Sequence, residues 1–423
     1  MKARNWDRLR VVMGVVVLTG AYLHPSANAG PAPDSYGYDP DARTVRGSSS
    51  LLSAPVLAKG APYRSTLSGS EPVYFRIALD ATSHTYVSAV GIPGPGTAPT
   101  RTNSLQVKLL DADGNRCDRQ GAGFAIGFAQ PLAASTSRMI APAGGATEAK
   151  CQRAGTYFVA VSRSRQPAGT APWGLDLRVD AEPPLKKSRG QAPAARTPRP
   201  AAPDGTPTPV EGGAGFAVAA RVPEVAASDE ITPGQSRFYR VPVDWGQRLT
   251  VTAELAGRKK GPYVANGLSV TVYNPARMKV DSASTSYHGR PATADLDALP
   301  AVAYENRTDK ERTTAAMRFP GWYVVQVTAS PELAPTWGRA PLRLTVHLGV
   351  KGSARKRPVY AGDPGVFEVP GTRPPAQQTR RPAATETADG GGRKILAIGS
   401  ITAGALLLVV SAGRVLRARR RTA

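Results

Sequence analysis

The sequence predicts an all-β protein: two tandem antiparallel β-sandwich domains, with a helix at each end that belongs to neither. Three observations predict it. Apolar and polar residues alternate with period two at many points, as in Phe75, Ile77 and Leu79 or Leu342, Leu344, Val346 and Leu348, which marks half-buried strands. Three such stretches recur later in the chain at offsets of 164, 163 and 166 residues. No long stretch of helical period appears outside the two termini.

The repeat sets the domain plan. Val73–Asp80 matches Arg237–Asp244, Ser104–Leu110 matches Gly267–Tyr273, and Ala154–Val161 matches Pro320–Val327. Near-constant spacing over three landmarks reads as two copies of one domain. Turn-forming residues separate the strands: Asp111-Ala112-Asp113-Gly114-Asn115 in the first copy, Asn274-Pro275 at the corresponding place in the second. The first sandwich is assigned to 67–180 and the second to 226–350. Residues 30–66 form an N-terminal extension, partly disordered or contributing a first strand. Prolines punctuate 181–225 and 351–392, so these are read as a linker and a stalk that bury no core of their own.

The ends carry the topology. Lys2, Arg4, Arg8 and Arg10 precede an apolar run from Val11 to Leu23, and Ala27-Asn28-Ala29 precedes Gly30. This is the pattern of a signal peptide over 1–29, cleaved between Ala29 and Gly30. A membrane helix is assigned to 393–415: from Ile395 to about Gly413 the residues are apolar or small, and these ~19 would rise roughly 28 Å as a helix, enough to cross a bilayer core. Arg414, at the end of that helix, and the basic tail at 416–423 with Arg417, Arg419, Arg420 and Arg421 hold the C-terminus inside by the positive-inside bias. The expected location is therefore the cell membrane, with one pass and residues 30–392 outside.

The 423 residues carry a formal net charge of +23. Setting aside the signal peptide and the C-terminal segment leaves about +13 for the outward part, enough to attract anionic wall polymers or lipid headgroups at long range. Nucleic acid is not indicated, because no recognition motif accompanies the charge. Cys117 and Cys151, the two cysteines, lie in the exported part, where a disulfide between them would persist.

Residues 67–180 and 232–350 resemble the bacterial pre-peptidase C-terminal domain family. The likeness rests on Tyr74-Phe75-Arg76-Ile77, Leu105-Gln106-Val107 running into Asp111–Asn115, and Ala154–Val161, with Phe238-Tyr239-Arg240-Val241, Leu268-Ser269-Val270 and Pro320–Val327 in the second copy. The resemblance implies a jelly-roll-like β-sandwich that is itself non-catalytic. The chain also resembles the outer portion of actinobacterial membrane proteins that carry a von Willebrand factor A module, and a bias to Ala, Arg, Gly and Pro fits such a genome. The metal motif of that module is missing here: Asp281-Ser282-Ala283-Ser284-Thr285 has Ala and Thr where serines are needed.

Chemistry-bearing candidates are few. His84, His288 and His347 follow the signal peptide, none in a hydrolase or zinc motif. His84 is read as lying between strands and His347 as facing solvent. Asp111 and Asp113 resemble a calcium turn, yet offer about three of the six or more oxygens calcium needs; a plain turn explains the same residues. Trp173, Trp245, Trp322 and Trp337 suit core packing, with sugar stacking the alternative. The expectation is a non-catalytic protein without cofactor or metal. It binds or scaffolds another surface protein, with a wall polymer or glycan as the alternative ligand and an unrecognised hydrolase as the third reading.

Overall fold

The computed structural model describes residues 36–94, 103–124, 129–141, 151–164, 171–186, 206–222, 226–297 and 299–369. Both predicted sandwiches are present. In the first, one sheet has the order β1-β2-β9-β4-β7. Its strands are β1 (Arg43–Thr44), β2 (Pro62–Leu67), β4 (His84–Ile92), β7 (Leu132–Arg138) and β9 (Trp173–Glu182). The facing sheet has the order β3-β8-β5-β6, from β3 (Val73–Leu79), β5 (Ser104–Leu110), β6 (Arg116–Gly123) and β8 (Gly155–Arg163).

The second sandwich repeats this plan. One sheet runs β10-β12-β19-β14-β17 and the other β11-β13-β18-β15-β16. The first comprises β10 (Thr208–Pro209), β12 (Ala227–Ile231), β14 (Arg248–Leu255), β17 (Ala292–Asp295) and β19 (Leu342–Lys351). The second comprises β11 (Ala220–Arg221), β13 (Ser236–Val243), β15 (Val264–Tyr273), β16 (Lys279–Tyr287) and β18 (Gly321–Ala329). Adding ten to each label from β2 to β9 gives its counterpart from β12 to β19. The three landmarks in sequence are β3, β5 and β8 with β13, β15 and β18.

Register is kept along with order. Phe75 and Leu109 flank Val159 in the first copy, and Tyr239 and Val272 flank Val325 in the second. Tyr157 donates its hydroxyl to the carbonyl of Arg153, and Tyr323 to that of Phe319, each at 2.8 Å. Such a bond back to the chain four residues upstream pins the start of the strand. Between tyrosine and carbonyl stand Gly155 and Gly321, with φ of 148° and 132°, a region that favours glycine. Alternating side chains fill each core: Phe75, Ile77, Val107 and Leu177 in one, Tyr239, Val270, Val325 and Leu344 in the other.

Three assignments shift. The described part of the N-terminal extension, 36–66, belongs to the first sandwich. It supplies β1 and most of β2, and Leu57 and Tyr63 are buried. The linker's flanks are folded as well. β9 runs through Glu182, Leu185 bridges to Tyr360, and 206–222 supplies β10, β11 and buried Phe216, Ala219 and Val222. The first part of the stalk, to 369, likewise folds back and buries Phe367. Proline-rich chain cannot build a core, but its scattered apolar residues can complete one that neighbours supply.

Candidate functional site at the seam between the sandwiches

The two sandwiches pack face to face. The outer surface of β9, β4 and β7 lies against the outer surface of β13, β18 and β15. Apolar residues from both sides meet there. Val90 and Ala133 of the first sandwich join Phe216, Phe238, Tyr273 and Val324 of the second. A second patch joins Tyr86 to Ala276, Phe319 and Phe367.

Charged residues of β9 are the anchor. The strand's core face carries Leu175, Leu177 and Val179; its other face carries Asp176, Arg178, Asp180 and Glu182. Asp176 accepts from the Tyr36 hydroxyl at 2.7 Å and from Arg277 Nη1 at 2.8 Å. Arg178 donates to Asp180 at 2.7 Å and to the carbonyl of Pro275 in the second sandwich at 2.6 Å. The Arg277 and Asp176 side chains are 5% and 2% exposed. Burial works against the Arg277 charge, but Asp176 and Tyr36 beside it hold the proton more firmly still. Burial and the Asp176 charge push the Tyr36 hydroxyl well above its usual value.

Arg277 occupies a special place in the repeat. In the first copy Asp111 Oδ1 accepts from the amides of Asp113 and Asn115. In the second, Asn274 Oδ1 accepts from those of Ala276 and Met278. The two turns are equivalent, and each has one residue in left-handed backbone: Gly114 at φ 82° and Arg277 at φ 55°. A non-glycine residue there costs about 1–2 kcal/mol. The second copy bears that cost at the residue that reaches Asp176.

Glu182 is the other anchor. Its carboxylate is fully buried and meets four donors: Arg307 Nη1 and Nη2 at 3.0 Å each, Tyr86 at 3.1 Å and Tyr360 at 2.8 Å. Paired guanidinium donors on one carboxylate are the strong, orienting form of an ion pair. The three residues that carry these donors come from β4, from the short 3₁₀ turn Tyr304–Thr308 of the second sandwich, and from the chain after β19. Burial and the Glu182 charge raise the Tyr86 and Tyr360 hydroxyls well above their usual values, so both stay protonated and donate.

Beside this anchor a cleft of about 480 Å³ opens between the sandwiches. Its walls are β6 and β7 on one side, β16 and the helix α1 (Arg312–Ala316) on the other. Arg318 lines it, 6% exposed. Its Nη1 and Nη2 hydrogen-bond only to the thioether sulfurs of Met139 and Met278, each at 3.7 Å, and its Nε has no hydrogen-bond partner; the guanidinium carbon lies 5.9 Å from the Tyr86 ring centroid and 5.6 Å from that of Phe319. Burial lowers the affinity of Arg318 for its proton.

The remaining sequence candidates fall as follows. Cys117 and Cys151 form a disulfide. Asp111 is the acceptor of its own turn. His84 is the first residue of β4, not a residue between strands. It is buried, and its Nδ1 accepts from the Ile140 amide at 2.9 Å. Burial brings it down to about 4; Glu182 pulls it upward, and Arg307, Arg318 and Arg138 push it down. His347 sits opposite the apolar set of β19, but half-buried, with Nδ1 enclosed and unpaired. The carbonyl of His288 accepts from Gly261. Trp173 and Trp245 are core residues, and Trp322 and Trp337 are partly exposed. Among the described residues, no group of three His, Cys, Asp or Glu side chains could hold a metal ion, and no helix is long and apolar enough to cross a membrane. Ala29, Gly30 and the five tail arginines, with the segments they mark, lie outside the described residues.

No family model matches the sequence, and neither does any curated protein. Solved structures are distantly similar. A protein from an archaeal virus, described by its triple jelly roll fold and turret assembly, is 9% identical, with 70% of this chain and 60% of that one covered and a TM-score of 0.19. The N-terminal CBM22-1–CBM22-2 tandem domain of Xyn10C from Paenibacillus barcinonensis is 11% identical, over 77% of this chain and 100% of that one, with a TM-score of 0.19. The extracellular domain of ANXUR2 from Arabidopsis thaliana is 9% identical, over 70% and 86%, with a TM-score of 0.17. Likeness at this level carries no argument about what this chain does.

Proposed function

We propose that this chain is a membrane-anchored, extracytoplasmic binding or scaffolding protein without catalytic activity, and that it presents two sandwiches to another surface protein as one platform. The observation that carries this reading is the seam. Two buried ion pairs and two apolar patches join the copies, so they act as one surface rather than as separate beads. A platform of fixed geometry suits a partner that touches both copies. The test is photo-crosslinking in intact cells from exposed positions on each sandwich, such as Leu52 and Tyr263, which are 94% and 71% exposed. The expected result is a discrete adduct with one surface protein. Absence of any adduct from either sandwich, together with hydrolytic activity of the purified chain, overturns the reading.

A wall polymer as ligand is favoured by a separate feature. The loop between β14 and β15 exposes Arg258, Lys259 and Lys260 next to Tyr263. Trp337 braces it through an Nε1 hydrogen bond of 2.7 Å to the Lys259 carbonyl. Binding through such a loop is screened over ~8 Å at physiological salt. Co-sedimentation with cell-wall sacculi that is lost at high salt, or on Lys259→Gln with Lys260→Gln, supports this reading. Sedimentation insensitive to both removes it.

A further inference from the structure

We infer that the cleft between the sandwiches is a binding site for a phosphate-type oxyanion, with Arg318 as its floor. A guanidinium removed from water normally finds a carboxylate or a set of carbonyls. Arg318 has neither among the described residues; the Tyr86 and Phe319 rings beside it offer cation-π contact but no oxygen acceptor, its two sulfur partners are weak acceptors, and its Nε has no hydrogen-bond partner. The carboxylate that acts on it electrostatically is Glu182, and Glu182 already holds Arg307 and two tyrosines.

The rest of the cleft has matching chemistry. Ser135 of β7 lines it, 6% exposed, with an unpaired Oγ. A hydroxyl donates readily to an oxyanion. At the mouth are the exposed side chains of Arg312 and Lys279, with Thr313 between the walls; Asp281 is the one acidic residue lining the cleft. Three cations against one carboxylate, the idle Ser135 hydroxyl and a planar guanidinium fork suit a tetrahedral oxyanion. The volume lies within the range of small-ligand pockets, which occur preferentially between domains. Because both copies build the walls, the site exists only while the seam is closed. The inference needs no protein partner and stands apart from the platform reading.

The test is calorimetric titration of the full chain in detergent, at low ionic strength, with inorganic phosphate and separately with a glycerol-phosphate oligomer. Saturable binding of either probe is expected. Phosphate alone marks a small free anion as the source of the ligand; the oligomer, bound more tightly, marks a polymer. Arg312→Gln with Lys279→Gln, both at exposed positions, should weaken binding at least tenfold at unchanged melting temperature. Arg318→Met should abolish binding and leave the melting temperature the same or higher, because an unpaired buried charge is removed. No saturable heat with either probe overturns the inference, as does binding indifferent to both sets of changes. A fall in melting temperature for Arg318→Met with binding intact assigns Arg318 to packing and also overturns it. If crosslinking to a surface protein persists in these variants, the platform reading survives the loss of the anion site.

Discussion

Arg307 of the second sandwich grips Glu182 of the first across 125 positions of sequence, each guanidinium nitrogen 3.0 Å from one carboxylate oxygen. With Arg277 on Asp176, it makes the two copies a single body. Neither ion pair need be a net source of stability relative to an apolar seam, but losing one member strands the other charge.

Glu182→Gln therefore leaves Arg307 buried and uncompensated, at a cost of about 3–5 kcal/mol. Arg307→Met should cost a similar amount. The double variant should recover part of the loss, because no charge is then stranded. Urea unfolding of the four chains measures this, and strict additivity contradicts it.

Arg277→Gly sets two effects against each other. Glycine relieves about 1–2 kcal/mol of left-handed backbone cost, while the buried Asp176 carboxylate loses its cation at about 3–5 kcal/mol. The ion pair wins, so the variant should be less stable by about 2–3 kcal/mol. A variant more stable than the parent would mean that the pair contributes nothing.

Part of this could be read in the chain and part could not. β3, β5 and β8, with their counterparts, were legible because one face of each carries a core set at period two. The same rule misplaces the outer face of β9. Asp176, Arg178, Asp180 and Glu182 look solvated in sequence because alternation tells which face is polar, not what covers it. Two weak signals were present: four charges in a row on one strand face, and Arg277 where the repeat calls for glycine. Phe216 and Phe367 were hidden among prolines, since each completes a seam built by distant residues.

His84 gives the protein an acid-sensitive element. Its ordinary value of 6.5 falls to about 4 in the fold. The unfolded chain binds that proton first, so the contribution of neutral His84 is fully present above pH 6.5 and is lost as the pH falls towards 4. The loss is on the order of 3 kcal/mol. Urea unfolding at pH 7.5 and pH 4.5 should show it, and His84→Asn should flatten this part of the dependence. An unchanged slope in the variant assigns acid sensitivity elsewhere.

Phe367 tests whether the stalk begins as part of the body. It is 1% exposed, its ring centroid 4.6 Å from that of Phe319 and 5.3 Å from that of Tyr86. Phe367→Ala should cost about 3–5 kcal/mol. A loss below about 1 kcal/mol would place this segment outside the cooperative fold.

The Cys117–Cys151 disulfide closes a separation of 34 residues. Loop entropy makes it worth about 3–4 kcal/mol. The paired change Cys117→Ser with Cys151→Ser should lower the melting temperature. The parent chain should respond to reductant and the variant should not.

The most direct test of the seam is the distance distribution between spin labels at exposed Leu52 in the first sandwich and Tyr263 in the second, in the full chain. One narrow distribution is predicted, broadening when Glu182→Gln and Asp176→Asn are combined. A broad distribution in the parent chain would contradict the account, because the sandwiches would then move independently and no common platform would exist.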